Sequence, residues 1–396
     1  MNFIFISPNF PTNYWNFCDR LRKNGANVLG IGDAPFESLP EELKNALTEY
    51  YRVDAIEDYD QMIRAVGFFT FKYGKIDWIE SNNEYWLSQD ARLRVDFHVT
   101  TGTQKESEIE VLKKKSSMKK VFEKAGIPSA RFHLVSNITA AKKFVKEVGY
   151  PVIVTPDVHA GAVDTWKLNN DDELEKFYAN APAGNFIMEE YVDGDLYSYD
   201  AIIDMNGEPL FESTTRFPSI LDTVNGKNEM YYYVYPDITD ELSAVGRKSV
   251  EAFSIKGRFV HFEFIHLEKM RKGLGKKGDY IATVASACPA GGPSTDMMNY
   301  AHSSDVYQIW ANMITGNKDG KAKKGKPKYS VYAFRRGNRQ YAHTNRRILG
   351  KYEANIVEHR EVPPLDWEHM GEYSYIANFD TIQKAQAFLR YITERR

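Results

Sequence analysis

Cysteine is nearly absent: the 396 residues hold two, Cys18 and Cys288, far apart in the chain. Neither has a neighbour at ligand spacing, which excludes a disulfide framework and a cysteine-built metal site. No apolar run is long enough to span a bilayer and nothing resembles a signal peptide, so no membrane association is expected and the compartment is read as cytoplasmic. Neither sign of charge dominates. The 51 basic and 54 acidic residues leave a net charge of -3, which removes any global attraction to nucleic acid or anionic lipid and leaves small polar ligands as the expected partners. Self-similarity at a period of about 20 to 50 residues is missing, which excludes solenoids and propellers. Aromatic residues, in contrast, are plentiful: 25 Tyr and 23 Phe are spread along the chain as core and pocket wall. The length allows two or three domains with a sizeable core.

The first hundred residues alternate strand and helix signals. Residues 2–7, 28–32, 50–53 and 76–80 read as strands; 13–23, 41–47 and 59–73 read as helices, the first ending at a left-handed cap over Asn24 and Gly25. Such alternation predicts a parallel α/β layer with its ligand edge at the carboxyl ends of the strands, near residues 7–9, 30–33 and 80–84. Ser81, Asn82, Asn83 and Glu84 read either as a helix cap or as polar groups facing a substrate.

A charged segment, residues 105–120, leads into a helix ending at Gly126. Residues 150–156 (YPVIVTP) form a buried strand that turns into a small-residue loop, 157–164, carrying His159. Residues 186–204 read as strand, acidic linker, strand, with Glu189, Glu190, Tyr191 and Val192 at the junction. Residues 258–267 alternate as a strand with His261, Glu263 and Ile265 on one face. A basic glycine-rich hairpin, 269–278, then returns as a strand over 280–286, which sets Glu263 beside the strand of Val284 and Ser286.

This order of motifs, MKKVFEKAGIP, PVIV-P with its loop, MEEYVDG, HFEF and a strand entering PAGG, resembles the ATP-grasp superfamily, in its carboxylate–amine ligase-like branch related to carbamoyl-phosphate synthase large subunits. The resemblance spans nearly the whole chain and implies an α/β protein with α+β grasp lobes. A parallel α/β pre-ATP-grasp domain over 1–105 would precede an ATP-grasp region over 106–320, with a small lobe at about 120–190 and a large lobe at about 191–320. A C-terminal subdomain over 321–396 would complete the large lobe. Carried over residue by residue, the resemblance implies that Lys115 reaches the ATP phosphates, that Glu189, Glu190 and Val192 hold the adenine, and that Glu263 ligates magnesium. ATP and Mg²⁺ are the implied cofactors, a small carboxylate and an amine the implied substrates, and a homodimer the family habit.

Four positions depart from the family pattern. The lysine expected at the end of the PVIV-P strand is Thr155; the glutamate and asparagine of the E-x-N metal pair are Val284 and Ser286; a basic residue two further on is Cys288. The replacements are compact and compatible with strand packing, but they remove charge. ATP-grasp ligases move the γ-phosphoryl of ATP onto a carboxylate, and bringing two anions together requires neutralisation by metal and lysine. A lost charge-assisted phosphate contact costs on the order of 1.5–3 kcal/mol, and valine offers magnesium no oxygen. Lys167, on the return strand of the loop, could enter the space at Thr155, and Asp279 or Glu268 could offer metal an oxygen, although Glu268 lies an odd number of residues from Glu263 and so faces the other way. Arg216 could clamp a substrate carboxylate bidentately. Residues 318–328 read as a basic solvated linker, and Arg335–336 and Arg346–347 flank an expected hairpin at Gly337. Two functions therefore stand: an ATP-dependent ligase with a reduced metal site, or a catalytically inactive ATP-grasp scaffold that binds a ligand or a partner.

Overall fold

The computed structural model describes the chain except residues 102–105, 159–164, 219–228, 318–324, 363–366 and 368–369. The small-residue loop with His159 and most of the basic linker fall outside the described residues.

The N-terminal layer contains β1 (Asn2–Ile6), α1 (Trp15–Lys23), β2 (Asn27–Gly32), α2 (Glu41–Ala46), β3 (Glu49–Arg52), α3 (Tyr59–Tyr73), β4 (Trp78–Glu80) and α4 (Leu87–Asp96). Its four strands are all parallel, in the order β3-β2-β1-β4. The helices form where apolar residues recur at helical spacing. In α3 the buried side chains are Met62, Ala65, Val66 and Phe69, and the Asp58 carboxylate accepts from the first backbone N–H groups. Gly25 ends α1 with φ of 85°, a backbone region that costs other residues strain. Residues 81–84 do not cap α4, which starts at Leu87 with Trp86 at the cap position; they form an irregular turn in which Asn82 itself has φ of 52°.

Next come α5 (Glu106–Lys113), α6 (Lys115–Lys124), β5 (Phe132–Leu134), α7 (Ile138–Val148), β6 (Val152–Pro156), β7 (Trp166–Leu168), α8 (Asp171–Ala179) and β8 (Phe186–Glu190). The strands make a small antiparallel sheet, β5-β8-β6-β7. Phe144, Leu174, Phe177 and Phe186 bury themselves between this sheet and its two helices.

The largest sheet is antiparallel and eight-stranded. It is built from β9 (Gly194–Ile203), β10 (Pro209–Phe217), β11 (Tyr231–Tyr235), β12 (Arg258–Leu267), β13 (Tyr280–Ser286), β14 (Tyr329–Arg335), β15 (Ile356–Glu361) and β16 (Tyr373–Phe379), in the order β13-β12-β9-β10-β11-β14-β16-β15. The helices of this part are α9 (Asp240–Ala252), α10 (Ser294–His302), α11 (Val306–Thr315), α12 (Asn345–Lys351) and α13 (Ile382–Thr393). No β-hairpin forms at Gly337. The chain turns there into α12, which Thr344 caps by accepting from Arg347 N, and Arg335 turns inward to the Asn345 side chain and the His343 carbonyl.

One face of the large sheet joins the N-terminal layer through a shared core in which Phe3, Phe5, Phe17, Phe259, Tyr307 and Trp310 meet. The other face packs on α5, α6 and α9 through Tyr199, Phe262, Phe264, Met118, Phe122 and Leu242. The alternation of β12 is thereby used on both sides: Phe262 and Phe264 are fully buried on the second face, while His261 and Glu263 look the other way into a cleft.

Candidate active site

Lys115 is the first residue of α6, and the loop after β6 sets its place. Its backbone N–H donates to the Asp157 carbonyl at 2.8 Å, and the Asp157 carboxylate accepts from both the N–H and the hydroxyl of Ser116 at 2.8 Å. A carboxylate at a helix start satisfies orphan donors and complements the dipole. From there the ammonium reaches across to β6 and donates to the Thr155 hydroxyl at 2.9 Å. Burial lowers the Lys115 pKa and Lys119 adds to the effect, with Glu189, Glu263 and Asp157 opposing it.

The register sets Ile153 opposite both Lys167 and Glu189, so these residues and Thr155 share one face of the small sheet. Lys167 is exposed, its ammonium 4.1 Å from the centroid of the Tyr191 ring. The hydroxyl of Thr155 is thus met by Lys115 and not by Lys167. Glu189 pairs with the buried Lys119 at 2.6 Å. Glu190 is committed elsewhere: its buried carboxylate accepts from the Arg131 backbone and guanidinium at 2.7–2.9 Å and from Arg271 at 3.2 Å. Burial pushes its pKa up, but the Arg131 hydrogen bonds outweigh that and hold it below the usual carboxylate value. Val192 packs with Ala130, Leu267 and Ile281 in a small apolar patch. The linker can lie this close because Gly194 has no side chain; a Cβ there would stand 2.3 Å from the His266 carbonyl oxygen.

On the large sheet, Glu263 pairs in register with Val284, and His261 with Ser286. The imidazole of His261 bridges two carboxylates. Its Nδ1 lies 2.7 Å from Asp200 Oδ1 and its Nε2 3.3 Å from Glu263 Oε1. Burial alone would lower the His261 pKa; Asp200, and after it Glu263, overcome this and raise it to about 10. Asp200 also accepts from the Ser198 and Thr215 hydroxyls. The Ser286 hydroxyl lies 3.2 Å from the Cys288 sulfur, and burial pushes that thiol up to about 12, which keeps it protonated.

This donor set does not fit the two magnesium ions that the resemblance implies. Val284 supplies no oxygen, and Ser286 supplies only a neutral, buried one. Glu263 already engages the imidazole, and no group of three His, Cys, Asp or Glu able to hold a metal exists among the described residues. Asp279 stays in its hairpin turn, accepting from Lys276 N at 2.8 Å, and Glu268 is exposed there. Arg216 lies on the opposite face of the sheet from Thr215 and Glu263, where it donates to both Asp195 carboxylate oxygens at 2.8 Å.

Beyond Glu263 a cleft of about 1000 Å³ opens between the large sheet and the N-terminal layer. Asn13, Asn82, Glu84, Gly292, Tyr300 and Arg360 are among its lining residues. It uses the chain after β1 and after β4; residues 30–33, also expected at the ligand edge, do not line it. Asn82 is fully buried, yet neither its amide nitrogen nor its amide oxygen has a hydrogen-bond partner. The amide oxygens of Asn9 and Asn13 are likewise unpartnered. Asn13 is held by its nitrogen, which donates to Asp296 at 2.8 Å. Below Asn82, Glu80 accepts from Arg258 at 2.8 Å, both side chains fully buried, which ties β12 to the N-terminal layer. The neighbouring Asp90 accepts from the Ser81 N–H and hydroxyl. Sequence reasoning placed His261 on the face of Glu263 but could not supply its partner Asp200, because strand register carries no local signal. The orphaned state of Asn82 had none either.

No established family profile matches the chain. Among curated proteins it is 26% identical over 154 residues to the chloroplastic phosphoribosylamine–glycine ligase of Arabidopsis thaliana, covering 36% of this chain and 29% of that protein. It is 26% identical over 175 residues to the L-arginine-specific L-amino acid ligase of Bacillus subtilis, covering 42% and 41%. The chain thus matches less than half the length of these relatives. In structure, the L-amino acid ligase of Bacillus licheniformis superposes with a TM-score of 0.70 at 14% identity, over 100% of this chain and 99% of that one. The ADP complex of the N5-carboxyaminoimidazole ribonucleotide synthetase purK gives 0.69 at 12%, over 98% and 94%. The partial likeness in sequence and the whole-chain likeness in fold agree: this chain has the ATP-grasp fold and resembles the carboxylate–amine ligases that share it.

Proposed function

We propose that this chain binds ATP between the small sheet and the Glu263 face of the large sheet, beside a cleft for a small polar molecule, in the arrangement of an ATP-dependent carboxylate–amine ligase. In that reaction the γ-phosphoryl passes to a carboxylate oxygen and ADP leaves. An amine nitrogen then attacks the carbonyl carbon, and phosphate departs with the oxygen that carried it. Lys115 is the phosphate-facing cation of this reading, and the patch around Val192 is the wall for the base. Structural neighbours include an ADP complex and a complex with magnesium ADP, ADP and bicarbonate, which supports a nucleotide in this position.

The observation that carries the proposal is Asn82. A fully buried amide with both polar atoms unpartnered costs about 1–3 kcal/mol per lost hydrogen bond, and a ligand in the cleft relieves that cost. A second reading, a binding protein without turnover, is favoured by Val284 and Ser286. Titration of the full chain with a non-hydrolysable ATP analogue, followed by assay of ADP release across carboxylate and amine panels, tests both. ADP release that needs an acid and an amine together supports the ligase. Saturable nucleotide binding with no release under any pair leaves the binding protein, and absence of nucleotide binding ends both readings.

A further inference from the structure

The misfit between the metal-bearing family pattern and these residues has a positive side, and it rests on the nucleotide reading above. We infer that His261 stands in for the metal at the phosphate end of the cleft, so that nucleotide binding by this chain does not depend on magnesium.

The argument is geometric. On the paired strands β12 and β13, Glu263 faces Val284 and His261 faces Ser286, so the two oxygen-bearing side chains of the family's metal pair are gone. In their neighbourhood a ring has both nitrogens within hydrogen-bond range of carboxylate oxygens, at 2.7 Å to Asp200 and 3.3 Å to Glu263. Ionised carboxylates only accept, so both ring nitrogens must donate and the ring is an imidazolium. It is held in place by Asp200, itself almost fully buried and fixed by Ser198 and Thr215. Glu263, which in a metal site would be neutralised by the ion, is neutralised here by the chain's own cation. An imidazolium is also a poor neighbour for magnesium, which takes hard oxygen ligands at near-octahedral geometry. Lys115, whose ammonium is turned to the neutral Thr155 hydroxyl instead of to a carboxylate, is the second cation on this side of the cleft.

The test is calorimetric titration of the full-length protein with the β,γ-imido analogue of ATP, in excess magnesium and in EDTA. The expected wild-type result is affinities within about threefold of each other, less than the tenfold that corresponds to 1.4 kcal/mol. His261→Gln removes the internal cation and releases both carboxylates. Binding in EDTA should then weaken by about tenfold or more, with magnesium restoring part of it, a gained metal dependence that a merely structural role for His261 would not produce. Glu263→Gln keeps an acceptor for the ring while deleting a negative charge, and should tighten binding in EDTA. Wild-type binding that disappears in EDTA overturns the inference and leaves the nucleotide reading standing. Loss of binding in Glu263→Gln that magnesium cannot restore overturns it as well, because it makes Glu263 a metal ligand. Failure to bind with or without magnesium overturns both readings.

Discussion

The two ends of the cleft treat their buried polar groups in opposite ways. At the end lined by Glu263, the polar groups are bonded to one another: Asp200 to His261, His261 to Glu263, Lys115 to Thr155. At the end lined by the N-terminal layer, Asn82 has no partner for either amide atom, and Asn9 and Asn13 each leave an oxygen unpartnered. The difference separates stability from recognition. A closed network stabilises the empty protein and needs nothing from outside, whereas orphaned buried groups destabilise it and are tolerated where a ligand completes them.

Four substitutions break or sharpen that contrast. The largest effect is expected from Asp200→Ala, which strips the imidazolium of its buried partner. Chemical unfolding should show a loss of about 3–5 kcal/mol, the usual result of leaving one member of a buried ion pair alone. At the other end, Asn82→Gly should do the reverse: glycine accepts the φ of 52°, so the unfolding midpoint should barely move while affinity for the small-molecule ligand falls about tenfold, near the 1.4 kcal/mol worth of a good hydrogen bond. A midpoint that drops as far as in Asp200→Ala would erase the distinction between the two ends.

The third prediction concerns pH. Burial first, and the Glu80 carboxylate second, push the Asp90 pKa from 3.8 up to about 8. The folded protein therefore holds a proton there that the unfolded chain releases, so this contribution to stability is full below pH 3.8 and lost as pH rises through about 8. Asp90→Asn, which keeps an acceptor for Ser81, should flatten the fall in melting temperature across that window; an unchanged slope would show that Asp90 ionises freely. The smallest effect is expected from Thr155→Val. It removes the hydroxyl that receives Lys115 and should cost about 0.5–1.5 kcal/mol of stability, with a small change in nucleotide affinity as the ammonium is released toward the cleft.

Much of the frame was legible in the chain. The boundaries of α3 and of β12 with its hairpin partner β13 follow from capping, apolar spacing and alternation, all local properties. The placing of His261 and Glu263 on one face and Phe262 and Phe264 on the other is the period-two rule of a strand. Where reasoning went astray, a local signal was ambiguous. Ser81 to Glu84 carries cap-forming residues yet makes a turn ahead of α4, because Ser81 bonds Asp90 across the first turns of the helix. Arg335 and Arg336 flank a Gly-Asn pair that suggests a hairpin, but Thr344 starts a helix first.

The sequence by itself determined the element order, the α/β character, the removal of charge at Thr155, Val284, Ser286 and Cys288, and the presence of Lys115 and Glu263, since all of these are written in residue type and short-range spacing. Only the tertiary structure decided what those residues meet. Asp200 reaches His261 through the pairing of β9 with β12, Lys115 finds Thr155 because Asp157 anchors the start of its helix, and Arg216 turns away to Asp195. Asn82 is buried without a partner by the closure of the large sheet on the N-terminal layer. Contacts between residues 40 to 280 positions apart are set by strand register and packing of the whole core, and no local pattern encodes them.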